Sequence, residues 1–202
     1  MINEYFKNVY CVNLDKRIDR WQQAQQEFDK HNIKVERFSA IEGNPDNIQT
    51  NILPGQVGCV LSHYNIVKKA SELNLDNVLI FEDDVVFCDD LQLNFEEFIK
   101  QVPSDWDMLY FGGNHNNEPL QQITENVFKI HKTYTTHAYA IKKTVFPVVL
   151  KMFPKMKFEV DVMYSTLQQS FNCYVIKPHL AWQRDGYSDI LQRNVNYDFL
   201  KK

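Results

Sequence analysis

The chain has 202 residues, 44% hydrophobic and 24% charged, enough ordinary globular sequence to bury one large core. Its net charge of −4 argues against a surface built for the nucleic-acid backbone, so no nucleic-acid partner is expected. No apolar run approaches the roughly 18 residues of a membrane span, and Met1 to Lys7 lacks a signal-peptide core.

Residues 8–14 form the first buried-strand pattern, rich in β-favouring side chains. They run into Asp15-Lys16-Arg17-Ile18-Asp19-Arg20, where Asp15 is the expected N-cap of a helix reaching about His31. Trp21, Ala24 and Phe28 give that helix its apolar stripe. Lys16, Arg17 and Arg20 at its start add to a helix terminus that already favours anions. The segment reads either as a pocket for nucleotide phosphates or as a solvated basic helix start. Residues 33–40 predict a second strand with Val35 and Phe38 facing the core, followed over 41–55 by a polar, turn-rich loop. Loops of that length are usually functional or mobile. The clearest helix covers 56–73, with Val57, Val60, Leu61, Tyr64, Val67 and Ala70 on one face and Ser62 and His63 on its polar side. A lone histidine there is more often structural than catalytic.

Asn77-Val78-Leu79-Ile80-Phe81 then reads as a strand buried on both faces, ending in Glu82-Asp83-Asp84. Open α/β sheets bind ligands at this end of their strands. Alternation would put Glu82 and Asp84 on one face and Asp83 on the other. Three adjacent acids stay ionised only if a cation offsets them, and a hard divalent ion with oxygen ligands could also bridge to a diphosphate. The competing reading is a solvated turn.

A helix over 91–101, with Leu93, Phe95 and Phe98 among its apolar positions, stops at Pro103. The strand 107–111 ends in Gly112-Gly113, read as a simple turn or a close backbone approach to a ligand. Residues 114–126 are a polar surface excursion, and 127–130 and 136–141 are short strands, possible antiparallel partners. Helices are expected over 143–153, interrupted by Pro147, and over 158–170. Asp161 in the latter is flanked by Val160, Val162 and Met163; it reads as an exposed acid or as a general base whose pKa burial would raise. A last strand covers 173–176, before a polar tail expected to fold over the ligand edge. Strand–helix alternation predicts βαβ units and a mostly parallel sheet flanked by helices. The expectation is a single domain over 1–202, with a nucleotide-binding half to about 112 and an acceptor-side half beyond. Cys11, Cys59, Cys88 and Cys173 show no CxxC spacing and read as small buried residues, and no asparagine begins an N-x-S/T sequon, so a reducing, cytoplasmic setting is expected.

Five pieces in order carry a resemblance: residues 9–17 with Arg20, Phe38-Ser39-Ala40-Ile41-Glu42-Gly43, Gly58-Cys59-Val60-Leu61-Ser62-His63, Leu79-Ile80-Phe81-Glu82-Asp83-Asp84-Val85, and Ser188-Asp189-Ile190. Together they resemble glycosyltransferase family 25, which includes bacterial lipooligosaccharide galactosyltransferases and collagen β-galactosyltransferases. The resemblance implies a GT-A fold and an inverting, metal-dependent hexosyltransferase. It would use a UDP-sugar donor and a glycan, lipooligosaccharide or hydroxylysine-type acceptor. By that resemblance Asp84 holds Mn²⁺ (or Mg²⁺), with Glu82 and His179 as further candidate ligands. Glu82 and Asp83 meet donor hydroxyls, and Asn13, Leu14, Arg17, Arg20, Ser62 and His63 belong to the nucleotide-sugar pocket. Asp161 is the first candidate base and Asp189 the second. Membrane contact would come only peripherally, through a lipid-linked acceptor. With no membrane anchor or second transferase domain read in these 202 residues, a collagen-modifying role in a secretory lumen is not the expectation. The rival readings are a non-catalytic sugar-nucleotide or glycan-binding module and a metal-dependent phosphohydrolase or nucleotidyltransferase; the latter needs further acids for a second ion.

Overall fold

The computed structural model describes residues 1–43, 51–116 and 118–201. In chain order the elements are α1 (Ile2–Tyr5), β1 (Val9–Asn13), α2 (Ile18–Lys30), β2 (Glu36–Ser39), α3 (Pro54–Glu72) and β3 (Asn77–Glu82). There follow β4 (Val85–Phe87), α4 (Leu91–Ile99), β5 (Met108–Tyr110), β6 (Gln121–Gln122), β7 (Val127–Lys129) and β8 (Ala138–Lys142). The last are α5 (Phe146–Met152), α6 (Val160–Leu167), β9 (Cys173–Ile176), β10 (Ala181–Gln183), β11 (Gly186–Ser188) and β12 (Arg193–Val195).

Eight strands form one sheet in the order β2-β1-β3-β8-β5-β9-β7-β6. Strand β1 is parallel to β2 and β3, and β5 to β9; β8 runs against both β3 and β5, and β7 against β9 and β6. Only β8 and β7 are thus reversed, and the result is a mixed sheet flanked by helices, of the α/β class expected from the sequence. Strand β3 is the pivot, because its side chains alternate between two cores. Leu79 and Phe81 meet Phe28 of α2 and Phe95 of α4 on one face. Val78 and Ile80 meet Val67 of α3, Val149 of α5 and Tyr164 of α6 on the other.

Several local expectations are corrected. Asp15 does not cap α2, which begins after Arg17 without a side-chain cap; the Asp15 carboxylate accepts instead from the Ser39 hydroxyl at 2.6 Å. Pro147 does not interrupt a helix: it lies in the first turn of α5, where a missing N–H leaves no bond unmade. Leu93 is 70% exposed, and Leu91, Phe95 and Phe98 form the inner face of α4. Ser62 and His63 are fully buried, so the inward face of α3 is partly polar. Gly112 is a close approach to protein and not to ligand, since a Cβ there would lie 2.0 Å from the Ala181 carbonyl oxygen. The loop expected over 41–55 is seen only at its ends; residues 44–50 lie outside the described residues.

Candidate functional site

Strand β3 ends at Glu82, and Asp83 and Asp84 form the turn into β4, which pairs with β10. Alternation therefore stops at Glu82, and the expected split of the three acids between two faces does not occur. All three line one cavity of about 380 Å³. Its walls also include Leu14 and Arg20, the Ile41–Gly43 segment after β2, the start of α3, and the tail at Asp189, Ile190 and Tyr197. The tail does fold over the ligand edge of the sheet.

The close fit of the second wall depends on Gly58. A Cβ there would lie 2.3 Å from the Ile41 carbonyl oxygen and 2.7 Å from the Gly43 nitrogen. One turn further on, the Ser62 hydroxyl donates to the Gly58 carbonyl and accepts from the Ile41 N–H at 2.8 Å, fastening the loop to the helix. Ser62 thus shapes the cavity wall.

Each acid has a different environment. Arg20 reaches Asp83 at 2.5 Å and Asp84 at 2.9 Å, and lies 3.6 Å from Asp189. Arg17 pairs with Asp189 and, at 2.8 Å, with Asp19. Asn13, at the end of β1, donates to Asp83 at 2.6 Å and accepts from Arg37. Burial pushes Asp83 above the ordinary carboxylate range, with Arg20 and Asn13 opposing it. Burial raises Asp84 to about 6, opposed by Arg20 and helped by repulsion from Glu82 and Asp83. Glu82 goes the other way: burial would raise it, but His63 and a 2.6 Å bond from the Thr136 hydroxyl hold it below its usual value.

Asp84 Oδ2 meets Arg20 and, at 3.3 Å, the Gln183 amide, whereas Oδ1 is buried with no hydrogen-bond partner. A buried carboxylate oxygen without a partner, on an acid that lines the cavity, can take a hard divalent cation. The residues present therefore fit such an ion, with Asp84 as its holder. His179 does not join them. Its Nδ1 faces the Leu200 carbonyl at 2.8 Å and its Nε2 faces His115 at 3.0 Å, in a separate cavity with Asn114 and Phe199.

Asp161 is set back from the cavity, and both its oxygens accept backbone N–H groups, from Thr135 at 3.2 Å and Val162 at 2.8 Å. Burial raises its pKa, and Glu82 is close enough to add to that. Asp189 is a cavity residue, but one paired to two arginines. The site also contains residues the sequence reading passed over. Gln183 escaped because β10 carries no periodic signal, and Thr136 because its partner is fixed only by the β3–β8 pairing. Cys59 could have been found, since it lies four residues before His63 on one helix.

A family profile described as glycosyltransferase family 25 (LPS biosynthesis protein) matches residues 6–164. A glycosyltransferase 25 family member of Drosophila pseudoobscura is 28% identical over 158 residues, covering 66% of this chain and 25% of the relative. Human procollagen galactosyltransferase 2 is 25% identical over 162 residues, covering 67% and 26%. The chain thus spans about a quarter of the length of these relatives. Another human relative carries the name inactive glycosyltransferase 25 family member 3. Among solved structures, a mutant of Drosophila beta-1,4-galactosyltransferase 7 in complex with manganese, UDP-Gal and xylobiose has a TM-score of 0.47 at 8% identity, covering 93% of this chain and 74% of that one. With the profile spanning more than half of its residues, the chain belongs to glycosyltransferase family 25.

Proposed function

We propose that the chain transfers a hexose, galactose or glucose, from a UDP-sugar to an acceptor hydroxyl on a glycan or lipid-linked glycan, with inversion at the anomeric carbon. The observation that carries this reading is the meeting of Glu82, Asp83 and Asp84 with the basic start of α2 in one cavity at the strand ends. Arg20 lines that cavity and Arg17 lies beside it; both are paired with carboxylates, and a cation that takes over those acids would leave the arginines for the donor's phosphates. Glu82 and Asp83 are carboxylates able to accept from ribose or sugar hydroxyls, and Asn13 fixes the direction of Asp83. A divalent cation held by Asp84, Mn²⁺ or Mg²⁺, would offset charge developing on the leaving diphosphate. The acceptor hydroxyl must lose its proton on the face opposite the diphosphate. Asp161 is the base in this reading: it has no cationic partner, and burial raises its proton affinity. Asp189, paired to Arg17 and Arg20, is the poorer base and serves to place those arginines.

The second reading, a module that binds sugar nucleotides without turnover, is favoured by the relative named inactive. The intact acid triplet favours the first. Calorimetric titration of UDP-galactose, UDP-glucose and their N-acetyl forms, with Mn²⁺ or with EDTA, tests the donor. Binding should need the cation and vanish in Asp84→Asn. A folded protein that binds none of these donors, or binds them equally in EDTA, overturns the proposal. Slow donor hydrolysis in Mn²⁺ separates an enzyme from a binding module.

A further inference from the structure

We propose that Cys59, His63 and Glu82 form a second cation site, for a thiophilic divalent ion of the zinc type, separate from the hard oxygen site at Asp84. One ligand atom from each of the three lies within 4.8 Å of the others, and His63 Nε2 is 3.5 Å from Glu82 Oε1. Cys59 and His63 are four residues apart on α3 and so share a helix face, with the end of β3 bringing Glu82 against them.

The histidine is prepared for this role. His63 is fully buried, and its Nε2 has no hydrogen-bond partner. Its Nδ1 lies 2.8 Å from the Tyr139 hydroxyl, which in turn donates to the Tyr164 hydroxyl at 3.0 Å. An ion at Nε2 requires the His63 proton on Nδ1, facing the Tyr139 hydroxyl whose own proton goes to Tyr164; without an ion, a proton on Nε2 faces Glu82 and the ion takes its place. Metal-binding histidines are commonly oriented by such a bond from the other ring nitrogen. Glu82 is similarly fixed by Thr136 at 2.6 Å.

The donor set selects the ion. Thiolate with imidazole and one carboxylate suits zinc or cobalt, whereas magnesium and manganese prefer all-oxygen sites. All three residues line the cavity, so an ion can enter and the fourth position of a tetrahedral site stays reachable. Binding converts the Cys59 thiol to a metal thiolate and releases one proton to solvent, with no change of oxidation state.

Cobalt(II) titration of the reduced full chain tests this, read by thiolate-to-cobalt charge-transfer absorption in the near ultraviolet. The expected result is a band that saturates at one ion per chain, is bleached by Zn²⁺, and is absent in Cys59→Ser. His63→Gln should weaken binding by about 10- to 100-fold, the scale already produced by disturbing a ligand's surroundings. Asp84→Asn should leave the band in place. No band in wild type, a band that survives Cys59→Ser, or one that disappears in Asp84→Asn overturns the proposal. A measurement free of variants uses alkylation of wild-type protein mapped by mass spectrometry: Zn²⁺ should protect Cys59 where Mg²⁺ does not. Equal alkylation in both would also overturn it.

Discussion

Asp84→Asn should make the unliganded protein more stable while removing its cation-dependent donor binding. The Asp84 carboxyl has an ordinary value of 3.8 and is raised to about 6 in the fold. A raised acid favours the fold only while it is protonated. Its contribution is therefore fully present below about 3.8 and is lost as pH rises through about 6. At about 1.4 kcal/mol per pH unit, wild type loses about 3 kcal/mol from this group between pH 3 and pH 7.5. Asparagine has nearly the shape of the protonated acid and never ionises, so the variant escapes that loss. Urea unfolding in EDTA should find the two proteins about equal near pH 3 and the variant about 3 kcal/mol more stable at pH 7.5. Mn²⁺ at about 100 times its Kd should return about 2.7 kcal/mol to wild type alone. A variant less stable than wild type at pH 7.5, or a difference independent of pH, would refute the reasoning.

Three other substitutions test neighbouring parts of the site. Arg20→Gln leaves Asp83 and Asp84 buried without their shared cation and should cost about 3–5 kcal/mol by urea unfolding at pH 8. The loss should shrink at pH 5, where the acids can take up protons; a loss that grows there would contradict the assignment of charge. Asp161→Asn should reduce kcat by about 10²-fold or more with donor affinity by calorimetry unchanged, the scale of a lost general base. Normal turnover would move that role elsewhere. Gly58→Ala forces a Cβ to within 2.3 Å of the Ile41 carbonyl oxygen and should cost about 1–3 kcal/mol. It should also weaken donor binding, because the displaced segment is a cavity wall; an unchanged thermal midpoint would show that the loop yields freely.

The parts legible in the sequence were those with a local physical signal. Val78 to Phe81 read as a strand covered on both faces, as it is, and the acids at its end were expected at the strand ends of the sheet, where they line one cavity. Arg17 and Arg20 were legible as a basic helix start, but not as the partners of Asp19, Asp83, Asp84 and Asp189 that the structure makes them. What escaped depends on contacts distant in sequence. The pairing of β10 with β4 puts Gln183 beside Asp84 across about a hundred residues of chain. Thr136 is next to Glu82 because β8 runs against β3. His179 was misplaced for the same reason: its position near the C-terminus says nothing of the hydrogen bonds to Leu200 and His115 that hold it in another cavity. Ser62 and His63 look polar in a helical projection, yet both are buried: Ser62 under the segment that Gly58 lets approach, and His63 against the Tyr139 ring of β8.

The charge balance supports the proposed cation even though arginines already occupy the site. Asp19, Glu82, Asp83, Asp84 and Asp189 are five carboxylates, and Arg17 and Arg20 are the two cations that pair among them. Fully ionised, the group carries an excess of three negative charges over its arginines. Arg20 bridges Asp83 and Asp84 but leaves Asp84 Oδ1 without a partner, and Glu82 adds its repulsion at the same point. Two routes relieve that excess: a proton on Asp84, toward which its raised pKa points, or a divalent ion at the free oxygen. A donor diphosphate entering alone would bring further negative charge and increase the repulsion. Donor and cation should therefore bind with positive coupling, each raising the other's affinity by the same factor.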